Sequence, residues 1–344
     1  MVSVEYHDDL KEVQCGAEPV RSALATLLSD AVQVAPFDRL AWWTMLADHC
    51  GLAPTLAVAR DGVDIAVLPL AGAPPHMRQL SNWYTFRFRP IVSPGADARA
   101  LLTAIAADLS AKARRLTLSG LPEDDASLVQ AAFGKAGWLV LREQCDVNHI
   151  LTLAGRDWAT YLAGRPGKLR TTLKRKSGKV VAQVLTRFDA ATWAQYEAIY
   201  AESWKPEEGS PAFLRAFAEA EGTAGRLRLG VAHAADDPQG PALAAQMWTV
   251  EGGTAFIHKL AHRESAKALS PGSVLSAALF RHVIDEDRVA TIDFGTGDDP
   301  YKRDWMEEVR SRWRLEIVRT GAPANWPLLA QKAAQSLAAR IKRS

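Results

Sequence analysis

One order of elements occurs twice in this chain, and that repetition limits what the chain can fold into more than any single motif does. In the first half, "PTLAVARDGVDIAVLPLAG" from Pro54 places two apolar runs about an Asp61-Gly62 turn, the pattern of a β-hairpin. "DARALLTAIAADLSAKARR" then carries apolar residues at helical spacing, and "LTLSGL" is a short strand. A helix through Phe133 leads to a strand beginning at Trp138, and ahead of the hairpin Phe37 to Cys50 reads as a short amphipathic helix.

In the second half "RLRLGVAHA" and "PALAAQMWTVEGG" pair about a polar Asp236-Asp237-Pro238 turn, and "TAFIHKLAH" adds a third strand. "PGSVLSAALFRHVIDE" is a helix, "ATIDFG" a strand and "RWRLEIV" the closing strand. Gly120 and Gly295 stand 175 positions apart, as do Trp138 and Trp313, and the acidic "EDD" from Glu123 falls close to the "DD" at Asp298. A duplicated fold is the simplest account. The expected domains are 1–155 and 156–344, divided at "AGRPGKLRTTLKRKSGKV", a Pro-Gly break followed by a basic helix over 168–179.

Length and composition agree with two ordinary domains. The chain has 344 residues, 48% apolar and 23% charged, the mix of a globular protein, and either half is long enough to bury a core. The net charge of +2 does not demand a nucleic-acid partner, so any basic patch has to be argued locally and no DNA is expected. Cys15, Cys50 and Cys145 lack CxxC spacing, which points away from a zinc site or disulfide framework and towards a reducing compartment; no metal is expected. The start "MVSVEYHDDLKEV" has acidic residues where a signal peptide is basic, and no apolar run approaches a membrane span, so a cytoplasmic location is expected.

Two stretches carry chemistry. "TIDFGTGDDPYKRDW", from Thr291, contains the Asp-Phe-Gly of a protein kinase, but the chain has no glycine-rich phosphate loop with a strand lysine, and "HRES" from His262 lacks the catalytic Asp and Asn. "KALSPGSVLSAALF", from Lys267, puts Ser270, Pro271 and Gly272 at the start of a helix after a hairpin. Free N–H groups and the helix dipole there suit an anion such as pyrophosphate, with Arg263 and Lys267 upstream to add charge. Ordinary capping, with Ser270 as cap and Pro271 in the first helical position, needs the same residues.

The second half resembles the Gcn5-related N-acetyltransferase (GNAT) superfamily. The whole chain is similar to its tandem branch, the CelD-like (cellulose-biosynthesis protein) acetyltransferases, relatives of the Fem-type peptidyltransferases. The residues that carry the resemblance are "KLRTTLKRK" from Lys168, "IYAESWK" from Ile199, "SPGSVL" from Ser270 and "DFGTGDDPYKRDW" from Asp293. The resemblance implies an α+β fold of two tandem GNAT-like domains, each a mixed, mainly antiparallel sheet flanked by helices. The first copy is expected to be degenerate, because "LSGLPEDD" lacks the second glycine and the Tyr-Lys pair.

The implied activity is transfer of an acyl group from acetyl-CoA or another acyl-CoA to an amine, an amino sugar or cell-envelope precursor being one acceptor class. Donor contacts are then expected from Arg263, Lys267, Ser270, Gly272 and Ser273. One departure is clear: relatives offer a Gln/Arg-x-x-Gly-x-Gly/Ala loop to the pyrophosphate, whereas "KALSPG" has one glycine. Fem-type relatives take their group from aminoacyl-tRNA, so tRNA is the alternative donor; a non-catalytic part in polysaccharide synthesis is a third.

Tyr301 is implied to stand near the acyl sulfur, where a phenol can protonate the departing thiolate. The amine must lose a proton before it attacks, and His258 on the third strand is the expected base, with Asp293 or Glu251 acting through water. Trp204, Lys205, Asp298, Lys302 and Arg170 are the expected substrate contacts, and the basic helix suits a phosphate-bearing partner or simply a solvated face.

Overall fold

A computed structural model describes residues 1–15, 19–203 and 208–341. It resolves into two compact units, residues 1–146 with 311–344, and residues 147–310.

Unit 1 carries strands β1 (Ser3–His7), β2 (Pro54–Asp61), β3 (Asp64–Ala73), β4 (His76–Gln79), β5 (Ile91–Val92) and β6 (Arg115–Leu121). The β2–β3 hairpin closes with Asp61 opposite Asp64, as the Asp-Gly turn predicts, and Gly62 supplies the required positive φ of 61°. β1, β2, β3 and β4 pair antiparallel in sequence order, and β4 pairs with β6 in parallel. The helix Ala98–Lys112 buries Leu101, Leu102, Ile105, Ala106 and Leu109 on one stripe, and the helix Glu123–Lys135 buries Ala126, Val129, Ala132 and Phe133. Both feed one core with β2, β3 and β6.

Unit 2 takes the end of β7 (Leu139–Thr152), then β8 (Val180–Leu185), β9 (Leu227–Ala234), β10 (Ala244–Glu251), β11 (Thr254–His262) and β12 (Thr291–Thr296). β8 to β11 pair antiparallel in order and β11 pairs with β12 in parallel, repeating the topology of β1 to β6. Its core joins the helix Pro271–Arg281 to β9, β10, β11 and β12. Both units are thus mixed, mainly antiparallel sheets flanked by helices.

The closing strands are exchanged between the two series. β7 ends the first series, yet its residues 148–152 pair antiparallel with β12; β13 (Glu308–Val318) ends the second, yet its residues 313–318 pair with β6. A division at residue 155 therefore does not coincide with the compact units, because residues 311–344 return to unit 1. At each junction one bulge breaks the register: Ser119 and Gly120 oppose a single residue of β13, and Phe294 and Gly295 a single residue of β7. Both glycines adopt positive φ, 80° and 66°, which explains why glycine recurs at this spacing. Among the described residues no helix is long and apolar enough to cross a membrane.

Candidate functional site

In unit 2 a cavity of about 300 Å³ opens at the start of the helix Pro271–Arg281. Ser270, Gly272 and Ser273 form one wall, Tyr301 and Asp304 another, and Leu260, His262, Lys267 and Leu169 complete it.

The helix start is built without a side-chain cap. Ser270 adopts φ 54°, and its carbonyl receives the amides of both Ser273 and Val274. Pro271 has no N–H, so of the first-turn amides Gly272's is the one that neither proline nor Ser270 removes. This is fewer donors than the sequence suggested. The turn is held from below by buried Gln246, whose Nε2 donates to the Gly272 carbonyl at 3.1 Å and to Ser276 Oγ at 2.8 Å, while Trp248 Nε1 donates to its Oε1 at 3.0 Å.

Tyr301 is placed by the aromatic residue four positions on. Trp305 is buried and stacks on Phe280 with centroids 4.7 Å apart, Phe280 stacks on Tyr161, and the Tyr161 hydroxyl donates to the Trp305 carbonyl at 2.7 Å. This stack anchors the short helix Lys302–Trp305, whose first turn Tyr301 begins. Burial, reinforced by the Asp299 carboxylate, raises the phenol well above its ordinary value, so it remains a proton donor through the neutral range.

The cavity gathers Lys267, Ser270, Gly272, Ser273 and Tyr301 from the expected set; the other described ones do not line it. His258 is the extra residue of a bulge in β11: Met247 opposes Lys259 and Trp248 opposes Ile257. Its ring consequently faces Phe217, and its Nε2 lies 2.8 Å from Thr249 Oγ1, on the face of the sheet that carries the helix Pro211–Thr223. Asp293 is buried, accepting from Asn148 Nδ2 at 3.2 Å and from the Gly295 amide at 2.8 Å. Glu251 lies 3.7 Å from Arg226.

Lys302 is 4% exposed and donates to the carbonyls of Thr296 and Gly297 at 2.5 and 3.2 Å, so it staples the Gly-x-Gly loop from inside. Asp298 takes Arg303 at 2.6 Å and His149 Nε2 at 2.9 Å; Arg303 first and His149 second hold its carboxyl below the usual range. Arg263 is committed to Glu202 and to the Ala242 carbonyl, and Arg170 Nε donates to the Arg165 carbonyl at 3.1 Å. Trp204 and Lys205 lie outside the described residues.

Residues that pattern alone did not pick out are His262, Asp304 and Leu169. The bulge at His258 restores Leu260 and His262 to the cavity face, and His262 Nδ1 is 3.5 Å from where a side chain at Gly272 would begin. Asp304 sits three residues after Tyr301, a spacing that was visible once the helix was known.

Residues 167–303 match the protein family described as "Acetyltransferase (GNAT) domain". That span lies within unit 2 and holds every cavity residue named here except Asp304 and Trp305. Comparison with curated proteins gives no match. Among solved structures the chain is similar to FemX, with 12% identity, 95% of this chain and 99% of that one covered, and a TM-score of 0.58. It is also similar to a tandem GNAT protein from the clavulanic acid biosynthesis pathway, at 16% identity, 94% and 99% coverage and a TM-score of 0.52. L-PGS from Bacillus licheniformis gives 13%, 91% and 94%, and 0.56. At these identities the likeness establishes the fold, a tandem GNAT-like one.

Proposed function

We propose that unit 2 is an acyl-CoA-dependent N-acyltransferase that passes its acyl group directly to an amine. One observation carries this: the uncapped helix start at Ser270–Gly272 and the Tyr301 phenol line the same cavity. The first suits the donor's pyrophosphate, with His262 and Lys267 beside it, and the second suits the thioester sulfur. β11 and β12 pair only from Thr254 to Phe256 against Thr291 to Asp293 and then separate, which leaves strand backbone to bond an amide-bearing arm.

In this scheme the amine attacks the thioester carbonyl, the tetrahedral intermediate collapses, and Tyr301 gives its proton to the leaving thiolate. Asp304 attracts the cationic amine and takes up the proton it loses. No residue is acylated. An amino sugar or cell-envelope precursor, as in the CelD-like branch, is the acceptor class we favour.

Thermal stability with acetyl-CoA and with CoA tests the donor. A ligand at 100 times its Kd and bound only to the native state adds about 2.7 kcal/mol. Wild type should shift and Gly272→Asp, which sets a carboxylate beside His262, should not. If neither shifts while a known acyl-CoA enzyme does, the CoA donor is wrong. The second donor, aminoacyl-tRNA, is favoured by the exposed cations of the helix Gly167–Lys176, and retention on tRNA that weakens steeply with salt would support it. A non-catalytic role in polysaccharide synthesis instead predicts an intact phenotype in Tyr301→Phe.

A further inference from the structure

The helix Gly167–Lys176 stands against the donor cavity. Its Leu169 lines that cavity, Leu169 and Leu173 are buried, and Lys176 Nζ donates at 2.7 Å to the Ala268 carbonyl in the turn just before Ser270. Between Asp157 and Asp189 the chain carries eight lysines and arginines and no acidic residue, although the whole chain is only +2. Lys168, Lys174, Arg175 and Lys179 are exposed, and none has a carboxylate partner among the described residues. Uncompensated like charges on about 15 Å of helix and the turn Ser177–Lys179 after it repel one another, so their clustering asks for an anion.

The cavity itself is short of positive charge. One first-turn amide is open, and Lys267 lies 3.6 Å from Glu264. We infer that this helix holds the phosphates at the nucleotide end of the donor, its side chains replacing the backbone amides that a glycine-rich loop would offer. The inference rests on the acyl-CoA proposal and adds to it the residues that select a phosphorylated donor over a bare thioester. Two leucines fix the helix inward while its cations stay in water, so the contacts are long-range, salt-sensitive and made by side chains that the fold does not need.

The experiment compares Kd by calorimetry for acetyl-CoA, its 3′-dephospho form and S-acetyl-pantetheine, in wild type and in Lys174→Glu/Arg175→Glu and Lys168→Glu/Lys179→Glu. These exposed positions leave folding intact, which a thermal scan checks. Loss of two surface charge contacts, plus the reversed sign, should weaken acetyl-CoA about tenfold in at least one pair. S-acetyl-pantetheine should change less than about twofold in both, since it carries no phosphate for the cations to meet.

Equal weakening of all three donors, or no change in either pair, overturns the inference and leaves the acyl-CoA proposal standing. Absence of acetyl-CoA binding in wild type overturns both. If bulk tRNA binds wild type and loses about 10³-fold or more between 50 and 200 mM salt, with both pairs reducing that slope, the helix tracks a nucleic-acid backbone and the inference is wrong.

Discussion

The helix that leads into the parallel-paired strand, β6 or β12, begins differently in the two halves of the chain. At Ala98–Lys112 the Asp97 carboxylate accepts from the Ala100 amide at 3.0 Å, so the start of the helix already holds an anion of its own. At Pro271–Arg281 no side chain caps the turn, and the space in front is a cavity. The bulges differ in the same sense. The Phe88 amide donates to the Gly120 carbonyl at 3.1 Å, so a buried segment of the chain covers β6 beyond the point where β4 stops; among the described residues no loop amide does this at Gly295. One topology has been finished twice, once with internal groups over the helix start and the bulge and once without them.

The proposal that unit 2 is the active copy is tested most severely at Tyr301. Tyr301→Phe should lower kcat with acetyl-CoA by about 10²-fold or more while leaving the thermal transition in place. An unchanged kcat would remove the phenol from the chemistry. Next in size is Trp305→Ala, which empties the end of the Tyr161–Phe280–Trp305 stack and should cost about 3–5 kcal/mol in urea unfolding.

The two helix starts can be compared directly. Asp97→Ala should cost about 1 kcal/mol, because a capping bond is lost. Ser270→Ala should change stability by only a few tenths, because Ser270 caps nothing with its side chain, and Ser270→Gly should add up to about 1 kcal/mol by relieving the left-handed φ. Calorimetry should return one donor per chain in wild type and still one in Asp97→Ala, since the Phe88 segment remains over β6. A second site in that variant would mean that the cap alone kept unit 1 silent.

The smallest effect is alkaline. The Tyr301 phenol is raised in the folded state, so above about pH 10 the unfolded chain releases this proton first and stability falls. Tyr200, pushed up to about 12 by burial and then by Glu208, behaves the same way. Tyr301→Phe should lose less stability than wild type over that range, and an equal loss would place the Tyr301 phenol in water.

Much of the fold was legible because periodicity records burial: the hairpins, the helices Ala98–Lys112 and Pro271–Arg281, and the paired glycines all follow from local pattern. Strand exchange was not, since the side chains of β7 and β13 state which face is buried but not which neighbour supplies the hydrogen bonds. The site was half legible. Ser270 and Gly272 lie at the helix start where the proline and glycine put them, and Tyr301, singled out by the resemblance and not by its spacing, lines the same cavity. His258 was lost to a one-residue bulge, which turns a strand's alternation over, and Lys302 and Arg263 were lost to carbonyl and carboxylate partners that come from elsewhere in the chain.

The exchanged strands also bear on how such a chain can be divided. A fragment ending at residue 155 keeps β7 but lacks the strand that β6 requires, and a fragment starting at residue 156 keeps β13 but lacks the strand that β12 requires. Each piece alone exposes a raw sheet edge and should self-associate, whereas the two pieces made together carry complementary missing strands and should reassemble as a split protein. A duplication that reaches this state has become irreversible: neither copy can be deleted, even a copy that binds nothing, because each is the other's last strand.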